Sequence, residues 1–315
     1  MKVEFLTTDS HPEPHVLELT LQLFATAAAD MGIAVEELGL VIVADDDHYG
    51  EAVERIQPGG GFTDHEAGRG VAKTHTVVTN GLLTSSIVIN LAALVTALRA
   101  IVSDPNRKTD PAIEQLCIYL VYHELGHIVD NRRRPDQESP PRSLPGRGFE
   151  ISQVTRYHAA ILESEYAATA FSAPWMSRDA YLNSLTALAE TLAVSRTAME
   201  TVMQRYSSGD ASLVKLASTV ACACSFVLIQ FAKTAAMRIG EERLAAEAAS
   251  VWPETNDALM IQLLVEFEAS LAEHWDIYPD WPREPVPFLG DTWFAFASLE
   301  GFRFVENDYG SAVYW

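Results

Sequence analysis

Tyr122-His123-Glu124-Leu125-Gly126-His127 closes an apolar run, Cys117-Ile118-Tyr119-Leu120-Val121, and is followed by Ile128 and Val129. Upstream, Asp110-Pro111 reads as an N-cap with a proline at the first helical position, which predicts one helix from Ile113 to Val129. Residues four apart on a helix share a face, so His123 and His127 can turn two imidazole nitrogens toward one metal ion. Glu124 is rotated about 100° from His123 and reaches the same ion from the side, where a general base for water belongs. The spacing supplies two ligands and a base. A catalytic zinc takes three protein ligands and leaves a position for water.

The third ligand has to come from elsewhere. Asp130 and Arg133 stand where the extended pattern His-Glu-x-x-His-x-x-Gly-x-x-His needs Gly and His, so that pattern is excluded. A helix predicted over 151–172 offers Glu163 and Glu165, about 200° apart on a helical wheel, so only one of them can face the ion. Glu165 shares its side with Ile161, Thr169 and the small Ala168, a face suited to close packing, and is preferred. Glu163 lies with Tyr166, Ala167, Ala159 and Ala160. Asp130, three residues past His127, is placed to accept a hydrogen bond from a ligand imidazole or from a neighbouring helix. His158 precedes Glu165 by two turns, roughly 10 Å along the axis. That is too far for a ligand but suits stabilisation of an oxyanion, with Tyr157 as its rival.

Read together, Ser86-Ile87-Val88-Ile89-Asn90, a helix, the His-Glu-Leu-Gly-His motif and Glu165-x-x-Ala168-x-x-Phe171 resemble the gluzincin metallopeptidases, most of all the ImmA/IrrE type, over roughly residues 83–176. The resemblance implies a zincin-like region with a small mixed sheet and a motif helix. It implies Zn2+ on His123, His127 and Glu165, Glu124 as base, and a polypeptide substrate whose peptide bonds are hydrolysed. Thr169 stands where the family carries Asn or Asp to hydrogen-bond a ligand histidine. No helix-turn-helix segment of the kind fused to some relatives is present. The alternative is a non-catalytic zincin-fold module, binding or regulatory, whose metal is structural.

Outward from the motif, Leu38–Ala44 (LGLVIVA), Thr74–Thr79 and Leu83–Ile89 read as strands, with Asn80-Gly81 as the turn between the last two. Val16–Met31, a stretch near Glu51–Ile56, and Leu91–Val102 capped by Asn90 read as helices. The cleft is expected between Leu83–Ile89 and the glutamate helix. Residues 131–148, with five Arg and four Pro, read as a mobile basic loop. Beyond Phe149 helices are predicted near 151–172, 178–206, 211–237, 241–250 and 256–274. Ser208-Gly209-Asp210 is the turn between two of them, and strand-like pieces follow at Thr292–Ala297 and Phe302–Val305. The fold class is therefore α+β and mostly helical. A metallopeptidase region spans 1–176, and a helical region with an aromatic-rich tail spans 177–315.

The net charge of −21 excludes the clustered cations of nucleic-acid wrapping or anionic membrane binding. Cys117, Cys222 and Cys224, without a CxxC pair, read as buried thiols of a reducing compartment. The N-terminal stretch has no apolar segment of a signal peptide. Leu216–Ala232 holds Ser218, Thr219, Ser225 and Gln230 and reads as a core helix, not a membrane span. A cytoplasmic protein is expected. Asp45-Asp46-Asp47-His48 reads as an acidic turn at a strand end rather than a cation site.

Overall fold

The computed structural model describes residues 1–8, 14–59, 64–65, 68–69, 71–79, 82–101, 111–134, 151–239, 258–282, 287–307 and 310–314. They fall into two compact units. The first comprises Met1–Asp64, Arg69–Pro135 and Ala167–Asn183, and the second His65–Gly68, Asp136–Tyr166 and Ser184–Trp315. The division falls inside one helix, α5 (Ile151–Ser172), between Tyr166 and Ala167.

The first unit holds strands β1 (Lys2–Leu6), β2 (Leu38–Ala44), β5 (Ala72–Thr79) and β6 (Leu82–Asn90) in the order β1-β2-β6-β5. Two dipeptides, β3 (Asp64–His65) and β4 (Gly68–Arg69), pair with each other. β2 runs parallel to β1 and β6, with Val41 opposite Val3 and Ile87, while β5 is antiparallel to β6 with Thr74 opposite Ile87. Parallel neighbours need a crossover, and α1 (Pro14–Asp30) provides the one between β1 and β2.

Both faces of this sheet are covered. Val41, Val43, Ile87 and Ile89 pack with Phe24, Leu94, Leu125 and Ile128, from α1, α3 (Leu91–Ile101) and α4 (Pro111–Arg133). Ile42, Ala44 and Val88 pack instead on Tyr49, Ala52, Val53 and Ile56 of α2 (Tyr49–Ile56). Double cover explains why β2 reads LGLVIVA without polar alternation. β6 is interior, between β2 and β5; among the described residues β5, rather than Leu83–Ile89, is the strand at that edge. β1 was not foreseen at all.

Local chemistry fixes the ends. The Asn90 side chain accepts from the Ala92 amide at 2.9 Å and caps α3 as the sequence suggested. Asp45 accepts from the Thr8 and His48 amides and from His48 Nδ1, at 2.7, 3.1 and 2.6 Å, so the acidic run is a bonded turn. These bonds hold the Asp45 carboxyl well below the usual range, and Asp45 in turn raises His48.

The first residues of the expected basic loop, 131–133, are helical and form the last turn of α4. Arg134 forks onto Asp130 at 2.7 and 2.6 Å, both side chains buried. Arg132 donates to Gly32 O at 2.9 Å, and the Arg133 guanidinium lies 4.8 Å over the Phe171 ring. The remainder of the basic segment, with Arg142 and Arg147, lies outside the described residues.

The second unit is helical. It contains the first part of α5, most of α6 (Arg178–Ser207), α7 (Leu213–Ala236), α8 (Ala258–Asp276), α9 (Pro287–Leu299), and a hairpin of β7 (Arg303–Asn307) and β8 (Gly310–Tyr314). Gly209, at φ +85°, makes the predicted turn between α6 and α7, where the Asp210 amide bonds Arg205 O at 2.7 Å. Thr292–Ala297 is helix, not strand. Leu289, Trp293, Phe296 and Ala297 are buried at i, i+4, i+7 and i+8, a helical stripe that β-prone aromatics disguised. The helix expected at 241–250 lies outside the described residues.

α7 is long and apolar enough to cross a membrane, with a mean hydropathy of 1.8 in a window that is half buried within the structure. Phe231 of α7 stacks on Phe267 of α8 at 5.7 Å, and Trp293 Nε1 donates to Ser225 Oγ at 3.0 Å. Cys224 is buried here and Cys117 and Cys222 are half-buried, all three as free thiols. The chain is thus mostly helical with a small mixed sheet.

Candidate metal centre

α4 carries the motif in its most buried stretch. Tyr119, Val121, Tyr122, Leu125, Ile128 and Val129 are buried, and so are His123 and Glu124, at 3% and 4% exposure. Tyr122 anchors the helix, donating to Asp30 at 2.7 Å and stacking on Trp175 at 5.1 Å. The glycine of the motif has a definite use. A methyl group on Gly126 would meet the carbonyl oxygen of Ala168 at 2.3 Å, so only glycine lets the backbone of α5 lie this close. Ala168 and Thr169 are fully buried at the contact.

The Nδ1/Nε2 atoms of His123 and His127 and a carboxylate oxygen of Glu165 all lie within 4.8 Å of one another. α5 is continuous through the division between the units, so Glu165 is carried by the same helix whose next turn rests on Gly126. The imidazoles of His123 and His127 are edge to face, with centroids 5.0 Å apart. Thr169 Oγ1 is 3.3 Å from His123 Nδ1. With a proton on Nδ1 donated to Thr169, Nε2 is left as the ligating nitrogen. Two imidazoles and one carboxylate, the ligating groups that converge among the described residues, make a donor set suited to a borderline divalent cation.

Glu124 points to the sheet. Thr74 Oγ1, on β5, lies 2.7 Å from Glu124 Oε2 and 3.1 Å from the Glu124 carbonyl oxygen. Lys73 is the next residue on that strand. Burial pushes its ammonium down, and the charge of Glu124 opposes that shift. Asn131 donates to Thr76 Oγ1 at 3.1 Å, a second tie between α4 and β5.

The two glutamates of α5 diverge. Glu163 is buried, with Oε1 3.3 Å from His274 Nε2, and Trp281 stacks on that histidine at 4.2 Å. Glu165 Oε2 is 3.1 Å from Lys233 Nζ of α7. Asp130 receives the Arg134 fork described above. His158 lines a small cavity with Thr155, Leu162, Ser225, Leu228 and Trp293, and its ring is edge to face with Tyr157 at 5.3 Å. Burial drives the His158 imidazole down to about 4 and the Tyr157 phenol upward. Both rings are thus set among helices of the second unit. The oxyanion role drawn for them from two-turn spacing finds no support in this placement, because a shared helical face does not guarantee a shared pocket.

Thr74 and Lys233 were missed by sequence reasoning. Thr74 gave no signal beyond its place in an alternating strand. Lys233 follows directly on the apolar run Leu216–Ala232, which marks a helix end and no site. No protein-family model matches the chain, and no curated protein or solved structure matches it.

Proposed function

We propose that the chain is a zinc-dependent metallopeptidase, a hydrolase acting on a polypeptide substrate, in the manner its motif shares with gluzincins of the ImmA/IrrE type. The observation that carries this reading is the convergence of His123, His127 and Glu165, with Glu124 on the neighbouring side of the same helix. His123, His127 and Glu165 would hold Zn2+, with Thr169 fixing the tautomer of His123. When bound, zinc supplies a Lewis acid that acidifies water and polarises a carbonyl. Glu124 takes a proton from the attacking water and returns it to the leaving amine, so the charge balance closes within one turnover. Thr74 orients the Glu124 carboxylate. An extended substrate would pair with the edge strand β5, a main-chain mode that carries little side-chain specificity. The acidic balance, the half-buried α7 and the free thiols fit a cytoplasmic protein.

The test is hydrolysis of an unfolded polypeptide such as reduced, alkylated casein by zinc-loaded protein. Cleavage should disappear with chelator and in Glu124→Gln, while Glu124→Gln keeps its zinc. Zinc retained by the wild type with no cleavage of any polypeptide would favour the non-catalytic module instead.

A further inference from the structure

We infer that Lys233 is an internal counter-ion that competes with the metal for Glu165 and so sets the affinity of the site. This rests on the metal reading above. The Lys233 ammonium is 3.1 Å from Glu165 Oε2, and the two side chains are 27% and 24% exposed. Such a pair is neither screened as a surface pair is nor fully desolvated. Lys233 is held at this place by its helix. It projects from a helix whose preceding residues, Val227, Leu228, Phe231 and Ala232, are buried apolar contacts, so the position of its stem is fixed by packing.

A carboxylate offers two oxygens. An ammonium on one of them withdraws charge from the other and adds a positive charge beside any cation that Glu165 holds. His123 and His127 are neutral donors when they ligate, so Glu165 is the only ligand of the three to bring negative charge. Lys233 cancels that charge. Metal-free protein therefore keeps a compensated Glu165 in place, and metal entry must work against Lys233. The consequence is a site of moderated affinity, held ready without metal.

Zinc affinity, measured by competition with a chromophoric chelator on the full chain, tests this. Lys233→Met should bind zinc about 5-fold more tightly than wild type, the factor expected for removing one like charge a few ångströms away in water-exposed surroundings. Lys233→Arg, which keeps the charge, should stay within about 2-fold, and the Met–wild-type gap should narrow at high salt. Lys233→Gln gives the same reading if the Met variant does not fold. Equal or weaker binding by the neutral variants overturns the inference while leaving the metal reading intact. Zinc binding by none of the proteins, wild type included, overturns both.

Discussion

The two units bury polar groups to different ends. In the sheet unit the buried polar side chains of α4 have neighbours along one stretch of the helix: Thr169 at His123, Thr74 at Glu124, Arg134 at Asp130. In the helical unit the buried polar contacts tie separate elements together: Ser184 to Thr234 at 2.9 Å, Trp293 to Ser225 at 3.0 Å and Glu163 to His274 at 3.3 Å, and the half-buried Arg196 forks onto Glu300 at 2.7 to 3.0 Å. Burying a polar group costs free energy unless it is bonded, wherever it lies. Neighbours gathered along about two turns of one helix, rather than spread over several elements, mark the stretch proposed as the metal site.

That contrast can be broken by substitution. The largest effect should come from His127→Ala, which should take zinc from about one per chain to none by metal analysis. His158→Phe, in the other unit, should leave it unchanged. If both lose zinc, the division between site and packing is wrong. Next, Asp130→Ala removes both acceptors of the buried Arg134 fork and should cost about 3–5 kcal/mol of unfolding free energy in denaturant titration. A cost under about 1 kcal/mol would mean that the fork is no more than a surface pair.

His158 sharpens the comparison through pH. Burial lowers its pKa from 6.5 to about 4, so the folded state resists a proton that the unfolded chain accepts. Stability is full above pH 6.5 and declines as pH falls toward 4, by about 3 kcal/mol from this residue. His158→Phe should flatten that decline, and an identical pH profile would place the ring in water. Gly126→Ala should cost about 1–3 kcal/mol, because the methyl must move the Ala168 backbone, and should weaken zinc binding through the displacement of Glu165. Thr234→Val, one tie among many, should cost about 1 kcal/mol and leave zinc untouched.

Much of the sheet unit could be read from the chain because its elements are short, strongly patterned and punctuated. β2 matches its apolar run residue for residue, and Asn90 marks the junction of β6 and α3. The preference for Glu165 over Glu163 came from small neighbours on its helical face, and Gly126 against Ala168 is the physical form of that signal. What escaped was tertiary. β1 is five residues long with Lys2 and Glu4 in it, too mixed for periodicity to single out. The α9 stripe was hidden by aromatics that favour strands in isolation. The partners of His158 lie on α7 and α9, far away in sequence, and no spacing rule within α5 could name them.

In the proposed centre, His123 and His127 of α4 and Glu165 of α5 hold one metal ion. Anomalous diffraction at the zinc edge from a zinc-loaded crystal tests it most directly. A single strong peak is expected within bonding distance of both imidazoles and the Glu165 carboxylate. A peak held by Glu163 and His274, or no peak at the motif after zinc loading, would contradict it.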